Sequence, residues 1–143
     1  MTDLLSRHLK TIVRIALGSV FIYAGTLKIL APAEFAGSIA AYRILPYFWN
    51  YAAAAVLPWI EVICGLLLVA GLRQRSAAFF IACLNLLFIA AIAAAMFRGL
   101  DIGCGCFGGG DEKTSPTVAL LRDFAFLAAS FWLLRPTPNH PAS

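Results

Sequence analysis

The chain has 143 residues, 62% of them hydrophobic and 13% charged, with a net charge of +4 and a mean hydropathy of +0.86. Soluble domains carry about 45–50% apolar and about 25% charged residues, and a small domain covers less of its surface than a large one, so lipid is the expected solvent. The same composition excludes a disordered chain, a nucleic-acid reader and a disulfide-stapled secreted module, and the length is that of one domain, residues 1–143.

A hydrocarbon core about 30 Å thick takes roughly 20 apolar residues as helix, and four runs of that size occur. They predict an all-α integral membrane protein, a four-transmembrane-helix bundle. The first run, 11–30, bears Arg14 and Lys28 near its ends, with Gly18 and Gly25 on one face, where they let another helix approach closely. It reaches span length with no small-x-small site before Lys28, so it reads as a retained span rather than a cleaved signal. In the following connection, 31–50, residues 33–42 read as a short interfacial helix. Tyr47, Phe48, Trp49 and Tyr51 form an aromatic belt where the second run, 51–71, enters the membrane.

Glu61 is the only charge of that second run, and Pro58 three residues earlier frees a backbone carbonyl and implies a kink that opens local space. A tight basic turn at 72–75 makes the second and third runs neighbours. The third run, 76–97, is uncharged, with Asn85 as its strongest polar residue. A glycine-rich connection, 98–116, leads to the fourth run, 117–134, which carries Arg122 and Asp123. Arg7, Lys10, Arg14, Arg73, Arg75 and Arg135 gather on one side, whereas Arg43, Arg98 and Lys113 on the other are offset by Glu34, Asp101, Asp111 and Glu112. Basic loops stay in the cytoplasm, so both termini are expected there and both long connections outside.

The most informative segment is Cys104-Gly105-Cys106 in the second outside connection. Residues two apart lie near the upper end of the usual disulfide Cα separation, about 4.4–6.8 Å, so closing the bond needs a sharp bend, which Gly105 permits. Such a bond would be strained, hence oxidising and exchangeable. A structural staple and a soft-metal site are the alternatives. The metal is disfavoured because two thiolates need further ligands, while the only histidines, His8 and His140, lie near the termini.

Cys64 and Cys83 sit at equal depth if the second and third spans fold back about residues 73 and 74. They read either as packing residues or as a second thiol pair. Glu61 carries more weight, because a carboxylate at the bilayer centre costs about 2.5–3.5 kcal/mol on insertion scales and faces the bundle interior. Depth places it level with Asn85, as a hydrogen-bond partner; neutralisation by protonation and pairing with Arg14, Lys28 or Arg122 are the other options. Arg122 and Asp123, with Lys28, are expected to cluster beneath the Cys-Gly-Cys segment, where cations stabilise a thiolate. The alternative is an Arg122 that snorkels to the interface or pairs with Asp123 or Glu61.

The order Arg14, Gly18, Phe21, Gly25, Lys28, then Leu57-Pro58-Trp59-Ile60-Glu61 and Gly65, then Cys104-Gly105-Cys106-Phe107-Gly108 and Arg122-Asp123, resembles the DoxX-like membrane proteins. Within them it is most similar to the MauE (methylamine utilisation protein E) branch, over about residues 10 to 134. The resemblance implies a redox-associated protein of a bacterial or archaeal inner membrane, linked to maturation of a disulfide-rich extracytoplasmic subunit beside a thioredoxin-like partner. Carried over by position, Cys104 and Cys106 are the redox pair, and Glu61, Lys28, Arg122 and Asp123 the polar cluster, which Asn85 joins. The chain is short for this branch and lacks a Cys-x-x-Cys, which argues against a quinone partner and against methylamine as the pathway.

The expected function is thiol-disulfide exchange through Cys104 and Cys106, with no metal, no nucleic acid and a homo-oligomer as one option. Two other classes stay open: a transporter or binding protein for a small solute or soft metal using Glu61 at the midplane, and a non-catalytic assembly factor whose cysteines staple the loop.

Overall fold

The computed structural model describes residues 1–100 and 115–135. These form five helices: α1 (Thr2–Leu30), α2 (Pro32–Ala41), α3 (Tyr47–Ala70), α4 (Gln74–Phe97) and α5 (Pro116–Leu134), with no strand among the described residues. All but α2 are long and apolar enough to cross a membrane. The protein is therefore a multi-pass, all-helical membrane protein. Cys104 and Cys106 lie outside the described residues.

Each helix boundary follows local chemistry. Pro32 stands in the first turn of α2, where its missing N–H costs nothing, and Pro46 plays the corresponding role just before α3. At the other end of α3, Gly71 adopts φ 76° and ends the helix in a Schellman turn: the Leu72 amide donates to the Leu67 carbonyl and the Gly71 amide to that of Leu68. The α3–α4 connection is consequently residues 71–73, tighter than the expected 72–75. α1 begins nine residues before the expected span. Leu4, Leu5, Leu9, Arg7 and Lys10 are good helix formers, and nothing interrupts the helix as it leaves the apolar layer. α3 runs unbroken through Pro58.

Packing joins α1 to α3 and α4 to α5, and the two pairs meet mainly along α3 and α4. The first pair is a glycine contact. A Cβ on Gly18 would stand 2.7 Å from the Gly65 carbonyl oxygen, and a Cβ on Gly65 would stand 2.7 Å from that of Gly18. Two turns further on, a Cβ on Gly25 would meet the Pro58 carbonyl at 2.8 Å. Small residues let membrane helices approach backbone to backbone, which here brings the Lys28 end of α1 against the middle of α3. Leu17, Phe21, Cys64, Leu68, Ala77, Ala78, Ile81 and Leu133 form the core around this contact. A second cluster, Phe35, Ala36 and Ala54, seats α2 on α3.

Lys10 Nζ donates to the Arg135 carbonyl at 2.9 Å and lies 5.9 Å from the Trp132 ring, so the start of α1 and the end of α5 share one side of the bundle. Arg14 is on that side too: its Nη1 would be 2.8 Å from a Cβ on Gly71, against the carbonyl end of α3, where a cation opposes the helix dipole. Tyr47, Phe48, Trp49 and Tyr51 are exposed at the start of α3, as an interfacial belt requires.

Candidate functional site

The four transmembrane helices converge on a small cleft of about 30 Å³, lined by Val20, Phe21, Ala24 and Lys28 of α1, Glu61 of α3, Asn85 and Phe88 of α4, and Arg122, Asp123 and Phe126 of α5. Every residue expected in the polar cluster therefore lines one space. Spacing explains the convergence. Phe21, Ala24 and Lys28 follow one another at three and four residues on α1, Asn85 and Phe88 at three on α4, and Asp123 and Phe126 at three on α5, so each helix turns a single stripe inward.

The centre is an ion pair. Lys28 Nζ donates to Glu61 Oε1 at 2.8 Å and to Oε2 at 2.9 Å, with both side chains 2% exposed or less. Of the three cations considered as partners for Glu61, the structure selects Lys28. Arg14 is held at the far end of α3, and Arg122 turns to its neighbour Asp123. Phe35 of α2 and Phe88 of α4 each place a ring centroid 5.0 Å from Lys28 Nζ. Ring faces are negative, so the two phenylalanines replace part of the hydration that the ammonium loses.

The expected Glu61–Asn85 hydrogen bond does not form. Both carboxylate oxygens accept from the ammonium, a stronger donor than an amide, and Asn85 Nδ2 is buried without a partner among the described residues. Arg122 donates from Nε and Nη2 to Asp123 Oδ1 at 3.2 and 3.1 Å, while Asp123 Oδ2 is buried and unpartnered among the described residues. Among the described residues, the Asn85 amide nitrogen and one Asp123 oxygen in the cleft thus have no hydrogen-bond partner. No group of three or more His, Cys, Asp or Glu side chains with the spacing of a metal site occurs among the described residues.

Cys64 and Cys83 are both free and are not brought together as a pair. Cys64 lies in the core, whereas Cys83 is exposed. Phe79, Phe80, Cys83, Leu86 and Leu87 make an outward stripe on α4 at helical spacing, and in lipid such a stripe has the same hydropathy as the buried one. Phe35 and Phe88 were not anticipated as part of the site. Phe88 carries a signal, three residues from Asn85 on the same face. Phe35 carries none, because its contact depends on how α2 folds back onto α3.

The family model described as "Methylamine utilisation protein MauE" matches residues 6–136. The chain belongs to the MauE family. It is 34% identical over 116 residues to the methylamine utilization protein MauE of Paracoccus denitrificans, an alignment covering 80% of this chain and 62% of that protein. The MauE protein of Methylophilus methylotrophus is 39% identical over 80 residues, 55% of this chain and 42% of its own length. That of Methylorubrum extorquens is 32% identical over 134 residues, 93% of this chain and 72% of its own. The chain thus spans less than two thirds of the first two relatives. No solved structure matches it.

Proposed function

We propose that this MauE-family protein is a thiol-disulfide exchange protein of the bacterial inner membrane, with Cys104 and Cys106 as the reactive pair. In exchange chemistry a thiolate attacks a disulfide sulfur, a mixed disulfide forms, and the second thiol resolves it, so two electrons pass between the pair and a partner dithiol. The partner in this reading is an extracytoplasmic thioredoxin-like protein, or a secreted substrate whose disulfides are being matured. Relatives named for methylamine utilisation point to that pathway as the setting, against the earlier expectation drawn from the short chain and the missing Cys-x-x-Cys.

The observation that carries the reading is the position of the charges relative to the cysteine segment. That segment joins the end of α4 to the start of α5, and Arg122 stands six residues into α5, about 9 Å along the helix. Lys28 lies within the last turn of α1, on the same side of the bundle. Cations near a thiol stabilise the thiolate that exchange needs. The shared side of the α1 start and the α5 end, where Arg7, Arg14, Arg73 and Arg75 also occur, supports cytoplasmic termini and an outside cysteine segment. Glu61 as a midplane solute ligand fits less well, because Lys28 occupies both of its oxygens.

The test is to trap mixed disulfides from intact membranes with Cys104→Ser and Cys106→Ser, and to measure the redox state of the wild-type pair. One single variant should accumulate a mixed disulfide with an extracytoplasmic protein, and the double variant none. Undiminished redox activity in the double variant would sink the proposal.

A further inference from the structure

The cleft has hydrogen-bonding capacity that its own ion pairs leave unused. Lys28 and Glu61 satisfy each other through two contacts, and Arg122 and Asp123 cancel in charge, so the four groups together are neutral. What remains without a partner among the described residues is the side-chain nitrogen of Asn85 and one oxygen of Asp123, on side chains 2% and 3% exposed, both lining the same space. A buried polar atom without a partner costs about 1–3 kcal/mol, and two in one cleft of a bundle this small call for an occupant. The remaining walls, Val20, Phe21, Ala24, Phe88 and Phe126, are apolar.

We infer that the cleft binds a neutral hydroxyl group, which accepts from Asn85 Nδ2 and donates to Asp123 Oδ2. Neutrality follows from the balanced charges, since an ionic guest in this low-dielectric setting would lack a counter-charge. A hydroxyl is the smallest group that both donates and accepts, and a cleft of about 30 Å³ has room for at least one water-sized group. Two sources supply it: water itself, or the head of a membrane-soluble alcohol whose carbon body extends along the apolar walls into lipid. An ether fails in either case, because it leaves Asp123 without a donor.

The experiment uses the full chain in lipid nanodiscs, with 1-hexanol and dipropyl ether as probes of equal carbon number. Water-edited solid-state NMR on the Asn85 side-chain nitrogen is recorded on the same sample. If the hydroxyl belongs to a membrane alcohol, hexanol binds about fivefold more tightly than the ether, the value of one hydrogen bond near 1 kcal/mol, and Asp123→Leu removes the preference. If it belongs to water, the alcohol and the ether do not differ, and water protons transfer magnetisation directly to Asn85 Nδ2. Absence of both signals overturns the inference. The alcohol–ether comparison and the water transfer are read on the wild-type chain, so they hold even if Asp123→Leu fails to fold. The inference is independent of the thiol reading. Serine at both Cys104 and Cys106 should leave every one of these signals in place.

Discussion

The two ion pairs at the cleft look alike in sequence and behave differently in the fold. Lys28 and Glu61 come from different helices, are almost fully buried, make two short contacts and are flanked by two rings. Arg122 and Asp123 are neighbours on one helix. Arg122 is 21% exposed, and Asp123 keeps an oxygen without a partner among the described residues. A pair that joins two helices holds their register, whereas a pair within one helix fixes no register between helices. The first is the lock of the α1–α3 unit; the second leaves capacity for a guest.

Breaking the lock should have the largest effect. Glu61→Gln strands a buried ammonium and should destabilise the protein by about 3–5 kcal/mol, read as a drop in detergent or nanodisc unfolding midpoint. Replacing both partners with apolar residues, Lys28→Met with Glu61→Leu, should recover most of that loss. If the double variant is no more stable than Glu61→Gln, the cost lies elsewhere and the assignment of the lock is wrong.

Gly65→Val attacks the same unit through packing rather than charge. The added side chain meets the Gly18 carbonyl and Ile22, so α1 and α3 must separate. Overpacking of this kind costs about 1–3 kcal/mol. Lys28 should move off Glu61 with it, and cysteine crosslinks placed across α1 and α3 should lose efficiency. Unchanged crosslinking would mean that the glycine contact does not set the spacing.

Asp123→Asn should cost least, about 1 kcal/mol or less, because Arg122 retains access to solvent or headgroups. A midpoint shift as large as that of Glu61→Gln would erase the distinction between the two pairs.

Most of this site was legible residue by residue. Glu61, Lys28, Arg122, Asp123 and Asn85 stand out because charged and amide groups are costly in lipid and must turn inward. Gly18 and Gly25 announced a close helix contact through their spacing. The partner of that contact, Gly65, and the choice of Lys28 over Arg14 or Arg122 were not readable, since they depend on where along its length α1 crosses α3. Cys64 and Cys83 show the converse. Depth along two antiparallel helices could be counted, but the direction each thiol faces could not, because lipid removes the polar-out signal that marks an outer face in water.

The amino-acid sequence alone determined that the protein lives in lipid, that four helices cross it, and which few polar side chains those helices carry inward. Hydropathy and length suffice for that, since each is a property of one helix at a time. The tertiary structure decided which charges meet, that two phenylalanines enclose the lysine, and that Asn85 and Asp123 keep unspent hydrogen-bonding capacity. Those outcomes depend on the rotation and offset of one helix against another, which are set by side-chain contact between segments far apart in the chain.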